Sequence, residues 1–414
     1  MNQKPFEIPK TVVWRAFELV RANKGAAGVD GETLAEYEKN LKDNLYRLWN
    51  RMSSGSYFPP PVRAVPIPKK SGGERILGIP SVSDRIAQMV VKLMFEPEVE
   101  PHFQRDSYGY RPGKSALDAI GKTRERCWVY DWVLEFDIRG LFDNIDHELL
   151  MRAVRKHTSV KWIILYIERW LKAPMQLVNG TIVTRDKGTP QGGVISPVLS
   201  NLFLHYVFDL WMKRNYPEQP WCRYADDGLV HCHTESMCLE LLSKLAERFV
   251  ECGLELHPQK TKIVYCKDAK RTRKYGNTSF DFLGYTFRCR RIRNQKDGSI
   301  FYSFNPAVSK ASLNAMRART RKLNFRNRTR LSLSEIAELY NPTIRGWITY
   351  YGRYYQSGLY PMYHHLNRAL AGWLVRKYKR IRSSKQAYKA LRKIWVRNPE
   401  LFSHWSAGIN GVFV

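Results

Sequence analysis

Apolar residues recur along this chain with two periods, and their alternation predicts a mixed α+β protein. Residues 11–22 read as a helix that stops at the glycine-rich stretch Asn23-Lys24-Gly25-Ala26-Ala27-Gly28-Val29-Asp30-Gly31, where a backbone without side chains permits close approach. Leu34, Tyr37, Leu41, Leu45 and Leu48 return at close to 3.6-residue spacing and predict one helix over residues 32–52. From Tyr57 to Pro80 two extended segments flank Lys69-Lys70-Ser71-Gly72-Gly73, a hairpin whose prolines suit edge strands. A helix is expected over Ser83–Phe95, a strand over Val133–Ile138, apolar helices over Val198–Trp211 and residues 239–252, and a strand over Phe280–Phe287. Trp221, Leu229 and Val230 surround Arg223-Tyr224-Ala225-Asp226-Asp227-Gly228, which predicts a hairpin with two adjacent carboxylates at an Asp-Gly turn.

That pair changes the picture from folding to chemistry. An Asp-Asp-Gly turn alone is more often a solvated loop than a metal site. Asp137, however, ends the apolar run Val133-Leu134-Glu135-Phe136-Asp137. A carboxylate at one strand end, met by two at a neighbouring hairpin, can hold two Mg²⁺ ions about 4 Å apart, the requirement for two-metal nucleotidyl or phosphoryl transfer. Lys69 and Arg75 flank the earlier turn and can fold over a triphosphate, Arg as a fork and Lys as a point charge. Ser107-Tyr108-Gly109-Tyr110-Arg111-Pro112-Gly113-Lys114-Ser115 interleaves rings with cations, and Arg111 and Lys114 are candidates for a template strand. Its Gly-Lys-Ser is no Walker loop, because the first glycine of that motif falls on Tyr108. Lys187-Gly188-Thr189-Pro190-Gln191-Gly192-Gly193 offers a glycine-rich backbone with one amide, Gln191, able to approach a nucleotide.

Charge names the partner class. Sixty-eight Lys and Arg against 38 Asp and Glu leave +30, which calls for a large polyanion. No apolar run approaches the ~20 residues of a spanning helix, and residues 1–10 lack a signal-peptide core, so a cytoplasmic nucleic-acid protein is expected, with no membrane partner. Seven cysteines without a Cys-x-x-Cys pair read as reduced thiols. His231-Cys232-His233 with Cys238 admits zinc only weakly, since strand neighbours point to opposite faces.

In order, these pieces resemble the reverse transcriptases encoded by bacterial group II introns, the intron maturases. The likeness runs through Asn23–Gly31, Pro68–Pro80, Ser107–Ser115, Phe136–Asp146, Gly188–Pro197, Tyr224–Asp227, Leu254–Lys262 and Phe282-Leu283-Gly284, over about residues 11–360. The resemblance implies a right-hand polymerase, with fingers and palm in residues 1–300, an antiparallel sheet with helices. An α-helical thumb or maturase-specific domain in 301–372 and a short basic, DNA-binding tail in 373–414 follow. It implies that Asp137, Asp226 and Asp227 are catalytic and hold two Mg²⁺, and that Lys69, Arg75 and Gln191 contact the dNTP. Phe142, five residues after Asp137, takes the place of a sugar gate against a 2′-hydroxyl.

From Phe301 onward 21 Lys and Arg face 3 Asp and Glu. Arg317, Arg321 and Arg328, with Lys310 upstream, are placed near one helical face as RNA contacts. Asn341–Gly352 looks like the maturase signature, with Arg345, Trp347, Tyr350 and Tyr351 able to pair and stack with structured RNA. The expected activity is RNA-directed DNA synthesis, with RNA template, intron RNA, DNA primer or target and dNTPs as partners, plus assistance to splicing and retromobility. A domesticated enzyme of phage defence or DNA repair and a splicing maturase with little polymerase activity are the alternatives. Phe142 argues against an RNA-dependent RNA polymerase, and no Val-Thr-Gly triplet of the retron type occurs. Residues 290–414 hold no cysteine and only His364, His365 and His404, too few for the C-terminal nuclease many such proteins carry, so priming from a pre-existing 3′ end is expected.

Overall fold

The computed structural model describes residues 4–68, 73–293 and 297–407. The chain divides into two compact units, Met1–Ala119 with Leu134–Lys262, and Ile120–Val133 with Ile263–Val414.

The first unit is built on the helix Val82–Val99. Val82, Ile86, Val90, Val91, Phe95 and Val99 are completely buried in it, and Ser81 caps its start by accepting from the Asp84 amide at 3.2 Å. Asp84 is buried too, and it survives there because Tyr57 Oη, Trp170 Nε1 and Gln88 Nε2 all donate to it, at 2.7, 2.7 and 3.0 Å. Gln88 passes the network on, its Oε1 accepting from the Val194 amide at 2.7 Å. The glycine loop after the helix Lys10–Asn23 lies against this helix: Arg85 donates to the carbonyls of Lys24 and Ala26, and a Cβ on Gly28 would lie 2.6 Å from the Ser81 backbone. The expected single helix over 32–52 is two, Leu34–Lys39 and Leu41–Ser53, because Asn40 leaves helical geometry at φ −119°, ψ 40°.

Two sheets belong to this part of the chain. Strands β1 (Val62–Pro68) and β2 (Glu74–Ile79) pair antiparallel from Arg63↔Ile79 to Pro68↔Glu74. β4 (Met175–Gln176) joins β1 only at Val62 and Arg63, so Pro66 and Pro68 lie beyond the pairing that would need their missing N–H groups. With β3 (Trp132–Asp137) and β5 (Ile182–Val183) counted in chain order, the first sheet runs β2-β1-β4-β5. The second sets β6 (Trp221–Tyr224), β7 (Asp227–Cys232) and β3 side by side in the order β6-β7-β3, and β8 (Lys262–Tyr265) falls, but for Lys262, in the second unit. The helix expected over Val198–Trp211 is broken into Ser196–Leu204, a π-helical turn His205–Asp209, and Leu210–Asn215.

In the second unit β9 (Ser279–Phe282), β10 (Tyr285–Arg293) and β11 (Ile300–Val308) form an antiparallel sheet. Phe280–Phe287 is therefore a tight hairpin rather than one strand: Leu283 and Gly284 both take positive φ, 50° and 82°, the two-residue turn that matches strand twist. An apolar core then runs from Val308 to Trp405 through the helices Lys310–Leu323, Leu333–Tyr351, Tyr360–Lys377 and Ser384–Arg397, with Trp373 buried among them. Among the described residues no helix is long and apolar enough to cross a membrane.

His404 is fully buried in that core, its Nε2 2.8 Å from Asn367 Oδ1, and burial pushes its pKa down to about 3. An unfolded His titrates near 6.5, so below that pH the unfolded chain takes a proton that the native one refuses. Stability should be complete above pH 6.5 and decline as pH falls towards 3. Urea midpoints of wild type and His404→Gln, compared between pH 7 and 4, should converge as the pH drops, whereas parallel curves would mean His404 does not titrate between the states.

Candidate active site

The acidic hairpin is fixed from beneath by a buried arginine. Arg223, the third residue of β6, is fully buried, and its Nη2 lies 2.7 Å from Asp209 Oδ2 while Nε donates to Oδ1 at 2.8 Å. The same guanidinium donates to the Ala225 carbonyl at 3.1 Å, to Asn201 Oδ1 at 3.2 Å and to Ser107 Oγ at 2.9 Å. Only a planar fork with five N–H groups can serve four acceptors at once. Burial pushes Asp209 above the usual carboxylate range although Arg223 opposes it, and it pushes His205, one turn away, down to about 4 with help from Arg223.

The turn itself differs from the one expected. Tyr224 pairs with Asp227, so the two turn residues are Ala225 and Asp226, and Asp227 is the first residue of β7. Ala225 carries the positive φ, 56°. Gly228, expected in the turn, sits within β7 opposite Arg223 because the Phe136 ring fills its side-chain space: a Cβ there would lie 2.1 Å from the ring. Gly109 closes on the tip from the other side, where a Cβ would come within 2.3 Å of the Ala225 amide, and its carbonyl accepts from Asn201 Nδ2 at 2.7 Å.

Asp137 ends β3 and meets this hairpin. Burial first, then the charges of Asp226 and Asp137, together push Asp227 up to about 7 against Lys260, and Asp227 and Asp137 share a hydrogen bond. Asp226 is also raised, by burial first and by Asp137. Residues 254–257 run beside 137–139, with the His257 amide donating to the Asp137 carbonyl at 2.8 Å and Arg139 N to Glu255 O at 2.8 Å. They deliver Lys260 Nζ to 2.7 Å from Asp137 Oδ2. Burial disfavours this ammonium, but its bond to Asp137 and the charges of all three acids raise its pKa. Three carboxylates thus face one cation. Among the described residues no group of three or more His, Cys, Asp and Glu is already arranged to hold a metal ion; Cys232 and Cys238 are buried free thiols joined by a hydrogen bond.

The loop residues fall into place around the acids. Phe142 is half-buried, and its carbonyl accepts from the Thr189 amide at 2.6 Å. Gly188, at φ 77°, leaves only 2.6 Å between a would-be Cβ and that same carbonyl, so its turn is pressed on the Phe142 turn. Gln191 reaches Asp143 Oδ2 at 3.4 Å, and its carbonyl accepts from the Gly78 amide of β2 at 2.7 Å. Arg75 is exposed on β2 and Tyr110, at φ 60°, senses Arg75, Asp226 and Asp227 together. Lys69 and the remainder of its turn, 70–72, lie outside the described residues.

Several expected nucleic-acid contacts are engaged elsewhere. Arg111 pairs with Glu100 at 2.7 Å and donates to the Gln104 and Ser107 carbonyls, so it holds its loop. Lys114 is half-buried, and its Nζ donates to the Arg105 carbonyl at 3.0 Å. Arg328 does not share a helical face with Arg317 and Arg321: Asn324 adopts a left-handed conformation that ends the helix at Leu323. Arg321, Arg328 and Arg345 are exposed, and Arg317 bonds to Asn314. Trp347 packs on the core, and Tyr350 Oη donates to the Leu283 carbonyl at 2.9 Å while its own carbonyl accepts from Tyr285 Oη. Sequence reasoning did not single out Arg223, Asp209, Asn201 or Tyr110. Lys260 was visible only inside the Pro258–Lys262 run.

The chain is similar in sequence to known proteins. Residues 67–287 match the family described as reverse transcriptase (RNA-dependent DNA polymerase), and residues 313–395 match the group II intron, maturase-specific domain. The Escherichia coli K12 protein YkfC is 32% identical over 67% of this chain and 80% of its own length. The group II intron-encoded protein LtrA of Lactococcus lactis is 33% identical over 52% of this chain, a match that takes in 37% of that relative. A structure of telomerase from Candida albicans in complex with a fragment of telomeric RNA aligns with TM-score 0.44 and 12% identity over 92% of this chain and 69% of that one.

The buried pair gives a stability prediction. Arg223→Met strands the Asp209 carboxylate and should cost about 3–5 kcal/mol in urea unfolding. Asp209→Leu added to it should recover much of that loss. A double variant no more stable than the single one would show that the pair's net charge balance is not what holds the hairpin.

Proposed function

The chain belongs to the reverse transcriptase family, with the right-hand polymerase fold, and carries the maturase-specific domain of group II intron proteins, and on that premise we propose that it copies RNA into DNA and binds intron RNA to assist splicing and retromobility. The observation that carries the catalytic part is the meeting of Asp137, Asp226 and Asp227, where burial first and mutual repulsion second raise Asp227 to about 7, with Lys260 as the only ammonium bonded to the cluster among the described residues. Such a site takes up further positive charge readily. We assign two Mg²⁺ ions to these three carboxylates, which when bound would lower the pKa of the attacking hydroxyl and stabilise charge on the leaving oxygen.

The chain's own groups do the positioning. Arg223 fixes the Ala225 carbonyl and so the direction in which Asp226 points. Lys260 holds the Asp137 carboxylate. We assign Arg75, Gln191 and Lys69 to the triphosphate and sugar of the incoming dNTP. Phe142, seated between the turn after β3 and the Gly188 turn, is assigned the exclusion of a 2′-hydroxyl. In the maturase domain Arg321, Arg328 and Arg345 are exposed and suited to RNA phosphates, with Arg317 beside them. Trp347 and Tyr350 support that surface from within. The fingers and palm in residues 1–300, a thumb over 301–372 and a basic tail beyond it remain part of this proposal.

Asp226→Asn removes one charge at constant volume, so primer extension on an RNA template should fall by orders of magnitude while filter-binding affinity for RNA stays near wild type. Extension that persists would remove Asp226 from the site. Phe142→Ala should raise incorporation of ribonucleotides relative to deoxyribonucleotides by about tenfold or more in single-nucleotide extension. Unchanged discrimination would place the gate elsewhere.

A further inference from the structure

A cavity of about 460 Å³ opens in the first unit, and none of its lining residues belongs to the acidic site. Its volume lies in the range of small-molecule sites. Phe203 and Val207 give it an apolar wall, and Arg152, Lys156 and Arg248 face it against one carboxylate, Glu251. That carboxylate is already used: Glu251 Oε2 lies 3.2 Å from Arg248 Nη1. Arg248 also donates to the carbonyls of Val207 and Tyr206, at 3.3 and 3.4 Å, which belong to the π-helical turn. Turns of this kind interrupt helices frequently at functional positions.

Two cations are left over. Arg152 and Lys156 stand four residues apart on the helix His147–His157, a spacing at which like charges are neighbours and repel. Lys156 lies 5.1 Å from the centre of the Tyr206 ring, and among the described residues no carboxylate pairs with either cation. A guanidinium fork and an ammonium together match a doubly charged phosphate.

We propose that this cavity binds a small phosphomonoester of mononucleotide size, its phosphate between Arg152 and Lys156 and its apolar body against Phe203 and Val207. The site is separate from the polymerase assignment. Calorimetric titration of the full chain, stripped of nucleic acid and without Mg²⁺, with GMP, inorganic phosphate and guanosine tests it. GMP should bind at one site, guanosine at least tenfold more weakly, and Arg152→Ala/Lys156→Ala should weaken GMP at least tenfold. Both side chains are exposed, so the double variant should keep the wild-type melting temperature and primer extension, and GMP should raise that temperature only in wild type. Equal GMP affinity in the double variant overturns the proposal. So does guanosine binding as well as GMP, or no GMP binding at millimolar concentration. A single-stranded RNA that needs these two residues while GMP does not bind would also overturn it and make the cavity a nucleic-acid contact.

Discussion

A carboxylate cluster can be presented at a tight turn only if the turn has nowhere else to go, and here the ion pair between Arg223 and Asp209 imposes that constraint. Both partners are removed from water, which by itself costs several kcal/mol per ion, and the cost is offset only because the remaining N–H groups are satisfied by Asn201, Ser107 and the Ala225 carbonyl. The arrangement is therefore all or nothing. Asp209 lies at the end of a π-helical turn, Asn201 one helix earlier, and Ser107 on a loop far away in sequence, so the hairpin tip is set by three separated segments at once. Backbone contacts tighten it further where Gly109 and Gly228 leave no room for a side chain.

The same logic extends outward to the other loops of the site. Asp84, buried in the long helix, fixes Gln88, and Gln88 fixes the amide of Val194, so the loop carrying Gln191 is attached to the core of the first unit through a chain of hydrogen bonds. Gly188 and Gly192 permit backbone approaches that hold this loop on the Phe142 turn and on Gly78. What remains mobile in chemistry is charge. Three acids and one ammonium can exchange partners when other cations arrive, because Lys260 is half exposed and, among the described residues, bonded through its ammonium to Asp137.

Much of this was legible in the sequence. The acids at Asp137, Asp226 and Asp227 could be placed because a strand ending in a carboxylate and a short hairpin are local signals with a period of two. The details that failed were those decided by distant atoms. Gly228 looked like a turn residue, but the Phe136 ring put it in a strand. Nothing local announced that Arg111 would pair with Glu100. Arg328 looked continuous with Arg321, but a single left-handed asparagine separates them. Asn40 broke a helix that the apolar period carries straight through, since periodicity reports which face is buried and not whether the backbone is continuous. Arg223, the residue on which the site depends, sat unremarked between Cys222 and Tyr224, because burial of an arginine follows from partners far off in the chain.

The most direct test of the account is where divalent metal binds. Fe²⁺ substituted at the acidic site, with peroxide and ascorbate, should cut the polypeptide beside Asp137 and beside Asp226–Asp227, and Mg²⁺ should suppress both cuts together. Cleavage elsewhere with these positions untouched, or cleavage at one strand without the other, would contradict a shared site built by β3 and the hairpin.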